Sequence, residues 1–166
     1  MTLAQRDGIF FAAPDESAWA DVWTGGRRET WSLRSRGFKN WLVHLYYAST
    51  GRAPNSEALS QALLTLEATA RYDGKRHPVR VRTGMHDGKY YLDLADEQWQ
   101  AVEIDAEGWR VVSEPPIRFH RPRGMLPLPA PLQGGSLGEL KTLLNLASDD
   151  DHALPIGQFS RSISGL

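Results

Sequence analysis

The chain has 166 residues, 41% hydrophobic and 23% charged, with a net charge of −1 and no cysteine. That length suits one domain with a real core, and the missing cysteines exclude disulfides and thiolate metal sites. No run approaches the roughly 20 apolar residues of a membrane span. The opening Met-Thr-Leu-Ala-Gln-Arg-Asp-Gly lacks a basic start followed by an apolar run, so a cytoplasmic protein without a signal peptide is expected.

Residues 1 to 16 show no clean periodicity, although "GIFF" can add an edge strand. "AWADVW" (18–23) and "ETWSLRS" (29–35) flank "TGGRR", two β-prone runs around a Gly-Gly turn, which predicts a hairpin. In "GFKNWLVHLYYASTG", Phe38, Trp41, Leu42, Leu45 and Tyr46 fall at helical spacing, with Gly51 as a stop. In "PNSEALSQALLTLEATARYDG", Asn55 or Ser56 can cap a second helix. Leu59, Ala62, Leu63, Leu66 and Ala70 form its stripe, and Gly74 ends it. The short Gly-Arg-Ala-Pro connection makes the pair an αα-hairpin.

After Gly74 the period drops from 3.6 to 2. "HPVRVRT", "YYLDL", "WQAVEI", "WRVVS" and "PPIRFHR" read as strands of an antiparallel meander with one wet face. Leu92, Leu94, Val102 and Ile104 are expected to bury on the helix side, and Ile117 and Phe119 to point inward. The echo Trp99-Gln-Ala-Val and Trp109-Arg-Val-Val then marks two neighbouring strands of one hairpin around "DAEG", not a repeat architecture. "PRGMLPLPAPLQGGS" is proline-rich and reads as a strap anchored by Met125, Leu126, Leu128 and Leu132. "SLGELKTLLNL" predicts a short helix, with Ser136 as cap, Glu139 in the capping box and Leu140, Leu143 and Leu144 facing in. The fold class is therefore α+β. An αα-hairpin packs on an antiparallel β-meander, with an N-terminal β-hairpin and a short C-terminal helix. Residues 1–150 form a single domain, and 151–166 read as a flexible tail.

Charge is laid out in blocks. Five bases and one acid lie from Arg27 to Lys39, and six bases and two acids from Arg71 to Lys89. Six acids and no base lie from Asp93 to Glu107, then four arginines and one acid from Gly108 to Gly124. Such blocks either bind polyanions or neutralise one another.

Catalytic signatures are missing. The histidines at 44, 77, 86, 120 and 152 include no i, i+4 pair, so no metal site is expected. Asp93, Asp96, Glu97 and Glu103 can be read as a cation or acid–base cluster, but read better as acids meeting the nearby arginines. There is no nucleophile elbow and no G-x-x-x-x-G-K-[ST] phosphate loop. The expectation is a non-enzyme with no cofactor, no catalytic residue and no membrane partner.

The stretches "YYLDLADEQWQAVEI", "GWRVV", "PPIRFHR" and "PLPAPLQGG", set within residues 30 to 150, resemble one family. The pattern is similar to the region preceding the motor of phage- and plasmid-type helicase-like AAA+ ATP-binding proteins of mobile elements. In that family the ATPase core follows the "LLNL" helix, and these 166 residues hold no such core, so ATP hydrolysis and unwinding are not implied. The resemblance implies an accessory module that associates with nucleic acid, as a natural short protein or a truncated product. DNA, a replication ATPase and self-association are its candidate partners.

The basic residues expected to serve that role are Lys75, Arg76, Arg80, Arg82, Arg118, Arg121 and Arg123, with Arg27, Arg28, Arg34, Arg36 and Lys39 as a further set. By alternation, Arg80, Arg82 and Arg118 should leave the wet face together, with Tyr91 exposed to stack a base. The opposing expectation is a protein-interaction or assembly module, or a remnant of a replication protein, because six tryptophans exceed what one small core easily hides.

Overall fold

Gly25 and Gly26, at φ 58° and 78°, make the tight turn that joins two strands of an N-terminal sheet. Two consecutive residues with positive φ match the twist of a two-residue hairpin, and glycine takes that conformation without a Cβ penalty. The computed structural model describes residues 2–134. A short helix α1 (Thr2–Asp7) leads into β1 (Gly8–Ala12), β2 (Ala18–Thr24) and β3 (Arg27–Ser32), an antiparallel sheet in the order β1-β2-β3. Two longer helices follow, α2 (Arg36–Thr50) and α3 (Ser56–Tyr72). Ser35 caps the first, accepting from the Phe38 amide at 3.1 Å, and Asn55 caps the second, accepting from the Ala58 amide at 2.7 Å. Gly51 ends α2 in the left-handed conformation.

The second half is a meander of β5 (Thr83–His86), β6 (Lys89–Asp93), β7 (Ala101–Asp105) and β8 (Gly108–Val112), each antiparallel to the next. Between the halves lies a two-residue parallel pairing of β4 (Val79–Arg80) with β9 (Arg118–Phe119). The α+β class, the N-terminal hairpin and the antiparallel meander are all present. The short C-terminal helix, the 151–166 tail and the domain limit at 150 lie outside the described residues.

The helical pair packs on the N-terminal sheet and not on the meander. Phe38, Leu42, Leu66 and Ala70 share one core with Phe10, Ala20, Val22 and Leu33. Local connectivity explains it. Three strands and two helices, consecutive in sequence, bury each other's apolar faces at little loop-closure cost. The other face of this sheet carries Phe11 and Asp21, both fully buried, and receives β9.

The meander is consequently turned the other way round. Its inner face holds Tyr91, Ala101 and Val112, packed against Ile117 and Phe119. Leu92, Val102 and Val111 form one cross-strand row of the outer face, and Tyr90, Ile104 and Trp109 another. Leu94 and Val102 are buried, whereas Leu92 and Ile104 are only half-buried, and none of the described helices covers them. The strap also departs from expectation, since Leu126, Leu128 and Leu132 are exposed. Trp99 and Trp109 part company too. Trp99 lies in the turn before β7 at φ 57°, between the Trp31 ring (5.9 Å) and the Arg121 guanidinium (4.0 Å), while Trp109 lies in β8, half-buried on the outer face.

Segment 115–121 ties the layers together. Ile117 and Phe119 point to the meander. Arg118 and His120 point to the N-terminal sheet, where Arg118 Nε donates to Asp21 Oδ2 at 2.7 Å and His120 meets the Trp19 ring edge to face at 5.0 Å. Arg121 then grips Asp93 through two bonds of 2.6 and 3.0 Å. Asp21→Ala leaves the Arg118 guanidinium largely enclosed and unpaired, and should cost about 3–5 kcal/mol in denaturant unfolding. Asp21→Leu combined with Arg118→Met should recover most of that loss in a double-mutant cycle, because no charge is then stranded.

A candidate cationic notch

The eight basic and aromatic side chains expected at a nucleic-acid surface do not share one face. Tyr91 is 4% exposed, and its hydroxyl donates to Glu103 Oε2 at 2.7 Å, so it offers no ring to a base. Arg118 and Arg121 are held by Asp21 and Asp93, with side chains 16% and 11% exposed. Arg82, at φ 64°, lies between strands, and its guanidinium donates to the carbonyls of Asp93 (3.1 Å) and Leu126 (2.8 Å). The expected common projection of Arg80, Arg82 and Arg118 to solvent is therefore not found. Period-2 alternation assigns a face, and here both faces of the β9 segment are covered.

The other expected cations divide similarly. Arg28 donates to the carbonyls of Pro115 and Ile117, and burial lowers its pKa against the pull of Asp21. Arg27 donates to the Glu97 carbonyl, and Arg34 pairs with Glu67 at 2.9 Å. Lys89 and Arg110 converge on Glu103. The carboxylates Asp93, Asp96 and Glu103 are thus absorbed by Arg121, Lys89 and Arg110. Among the described residues no group of three His, Asp or Glu side chains has a metal-holding arrangement.

What stays available is Lys75, Arg80 and Arg123, together with Arg36 and Lys39 in the first turn of α2. These side chains have no partner among the described residues. Arg76 has a single exposed pair with Glu16 at 3.1 Å, a contact of the kind worth little in water.

One of these residues, Arg80, comes together with Arg118 and with two histidines that the sequence reading weighed only as metal ligands. After α3 the chain runs beside β1, with the Ala12 amide donating to the Lys75 carbonyl and the His77 amide to the Ala12 carbonyl. It then enters β4. Between this segment, the edge strand β5 and the turn before β9 lies a notch of about 120 Å³. Arg80, His77, His86 and Arg118 line it with Met85, Pro116 and Ile117, and no carboxylate does. Gly84 makes room for it. A Cβ there would sit 2.8 Å from Ile117 Cδ1 and 3.1 Å from Arg80 Cγ, so a side chain would displace the Arg80 stem. The histidines could have been noticed from their place within the basic run 71–89.

The His77 imidazole meets Phe11 edge to face at 5.5 Å, and burial, then the Arg118 charge, lower its pKa. It is therefore neutral at pH 7. The notch exceeds several times the ~30 Å³ share of one water molecule, enough for a phosphate group with part of its hydration.

No family model, no characterised protein and no solved structure matches this chain. Among the described residues no helix is long and apolar enough to cross a membrane.

Tyr91 supplies a test of its structural role. Burial, followed by the bond to Glu103, pushes its pKa up to about 12. A tyrosine whose folded pKa exceeds its ordinary value near 10 contributes stability that is complete below pH 10 and lost as pH climbs towards 12. Of the five tyrosines, one should ionise near pH 12 in an ultraviolet difference titration. Tyr91→Phe should abolish that step and lower stability by about 1–2 kcal/mol.

Proposed function

We propose that this chain is a non-catalytic accessory module that associates with nucleic acid, with the notch around Arg80 as its phosphate contact. The observation that supports this reading is a concave site bearing guanidinium and imidazole groups and no lining carboxylate. Lys75 and Arg76 approach it along the chain. Phosphate contacts supply affinity without sequence information, so binding with little base preference follows. The resemblance to the region preceding the motor of mobile-element replication ATPases points the same way, and makes a replication ATPase the natural partner. Arg118 belongs to the notch through its position, although its charge is already shared with Asp21. Arg82, Arg121 and Tyr91 are assigned to the fold. The location consistent with this reading is the cytoplasm.

A second reading, a protein-interaction or assembly module, draws on the helical layer. Tyr47, Leu64 and Tyr72 are all more than half exposed there, and such aromatic and aliphatic side chains are typical of interfaces. It calls for a dimer or complex by light scattering and no oligonucleotide binding.

Fluorescence anisotropy with a labelled oligonucleotide at 50 and 200 mM salt separates the two. Binding should weaken steeply as salt rises. Arg80→Ala should reduce affinity, and should flatten the log–log salt slope by about one unit, with an unchanged melting temperature. Salt-independent binding, or an Arg80→Ala variant that binds as well as the parent, would overturn the reading.

Proton linkage gives an independent check. An anion in the notch favours the charged form of His77, against its burial and the charges of Arg118 and Lys75, with Asp21 assisting. Binding should then tighten as pH falls from 7.5 to 5.5. His77→Gln should reduce that dependence.

A further inference from the structure

The notch beside β4 differs in two ways from a groove that tracks a nucleic-acid backbone. The first is the charge at its borders. On the β4 side the chain arrives through Lys75 and Arg76 before His77. On the β5 side it leaves through Asp87 after His86, and the Asp87 carboxylate is 87% exposed and 3.3 Å from His86 Nε2. A polyanion leaving past Lys75 meets a cation, and one leaving past Asp87 meets an anion. A strand with one phosphate in the notch therefore has one favourable way out, which suits the end of a chain and not its middle.

The second difference is in the groups that line it. An internal phosphodiester carries one charge and no proton. A terminal phosphomonoester carries about −1.5 to −2 at pH 7, offers three accepting oxygens and titrates near about pH 6. Arg80, unpaired among the described residues, can donate to those oxygens, with Arg118 beside it already partly neutralised by Asp21. His77, kept neutral by burial and by the Arg118 charge, has an accepting ring nitrogen. A monoester has a P–OH proton to give it, and a diester has none. Pro78, Met85 and Pro116 line the same notch and are exposed, so they offer apolar surface to the sugar or base of an end nucleotide.

We infer that the notch takes a terminal phosphomonoester, the phosphorylated end of a nucleic-acid strand, in preference to an internal phosphodiester. This inference rests on the nucleic-acid reading above and narrows it to strand ends. The recognised group is the same at a 5′ and at a 3′ end, and the experiment separates the two.

Fluorescence anisotropy with one internally labelled oligonucleotide sequence provides the test. The strand is used with a 5′-phosphate, with a 3′-phosphate, with both ends hydroxyl, and hydroxyl-ended but one nucleotide longer, to match the added charge. One phosphorylated end should bind about tenfold tighter than the longer control, the ratio that one additional charge-assisted hydrogen bond supplies. Arg80→Ala should abolish that ratio. Arg123→Ala, which removes an unpaired cation outside the notch, should preserve it. Salt-dependent binding that is equal for all the strands would overturn the inference and leave the nucleic-acid reading standing. A ratio that survives Arg80→Ala would also overturn it, and binding of none of the strands would sink both. Competition gives a second measurement that needs no variant. Methyl phosphate should displace the 5′- or 3′-phosphorylated strand at a lower concentration than dimethyl phosphate, and equal displacement by the two would refute the preference.

Discussion

Two arginines three residues apart, each closed on a carboxylate from a different sheet, hold the two halves of this protein in one arrangement. Arg118 reaches Asp21 in β2, and Arg121 reaches Asp93 in β6. Both carboxylates are 1% exposed, so each charge is removed from water and must be answered in full. Removing one partner of such a pair is far more costly than the pair is stabilising. The further hydrogen bonds matter for the same reason. Thr30 donates to Asp21 at 2.7 Å, and Arg28 satisfies the carbonyls on the segment itself. The β9 segment has only a two-residue pairing with β4, so these side chains, with Ile117 and Phe119, set its position.

Local signals were read well from the sequence, and long-range ones were not. Ser35, Asn55, Gly51 and the Gly25-Gly26 turn each act on neighbours within a few residues, and their chemistry is carried by residue type alone. The choice of which sheet the helices cover is different. Alternation in "YYLDL" separates two faces but does not say which one meets the rest of the protein. The apolar face was the natural guess. The inner face instead uses Tyr91, Asp93 and Glu103, polar groups whose partners are Lys89, Arg110 and Arg121. Arg118 looked solvated because its acid lies 97 positions earlier. One sign was present: Asp21 is the lone acid inside "AWADVW", and an acid in an apolar strand demands a buried partner.

The same pairing explains how much of the candidate site was legible. The charge blocks along the chain suggested either a polyanion surface or mutual neutralisation, and the fold shows neutralisation for many of the cations. Arg28, Arg82, Arg118 and Arg121 are committed to carbonyls or carboxylates. Among the described residues Lys75, Arg80 and Arg123 remain unpaired, and of these Arg80 lines the notch. That concavity depends on Gly84 and on the turn at Pro116, neither of which carries charge. Sequence reasoning that counts cations finds the block, but the location of the notch is set by the small and rigid residues around it.

The 97-residue separation between Asp21 and Arg118 also orders events during synthesis. The first three strands and both long helices are complete by Tyr72, and their contacts span short stretches of chain that close quickly. Asp21 and Phe11 belong to the face that this early unit cannot cover. They stay wetted until the meander has formed and residue 118 has left the ribosome. At 5–20 residues per second that interval is about 2–9 s for the 46 residues after Tyr72. During it the nascent chain shows an uncovered sheet face with a carboxylate on its central strand. A charge in that position opposes sticking between neighbouring unfinished chains, so the residue that later anchors the two halves first keeps one of them solvated.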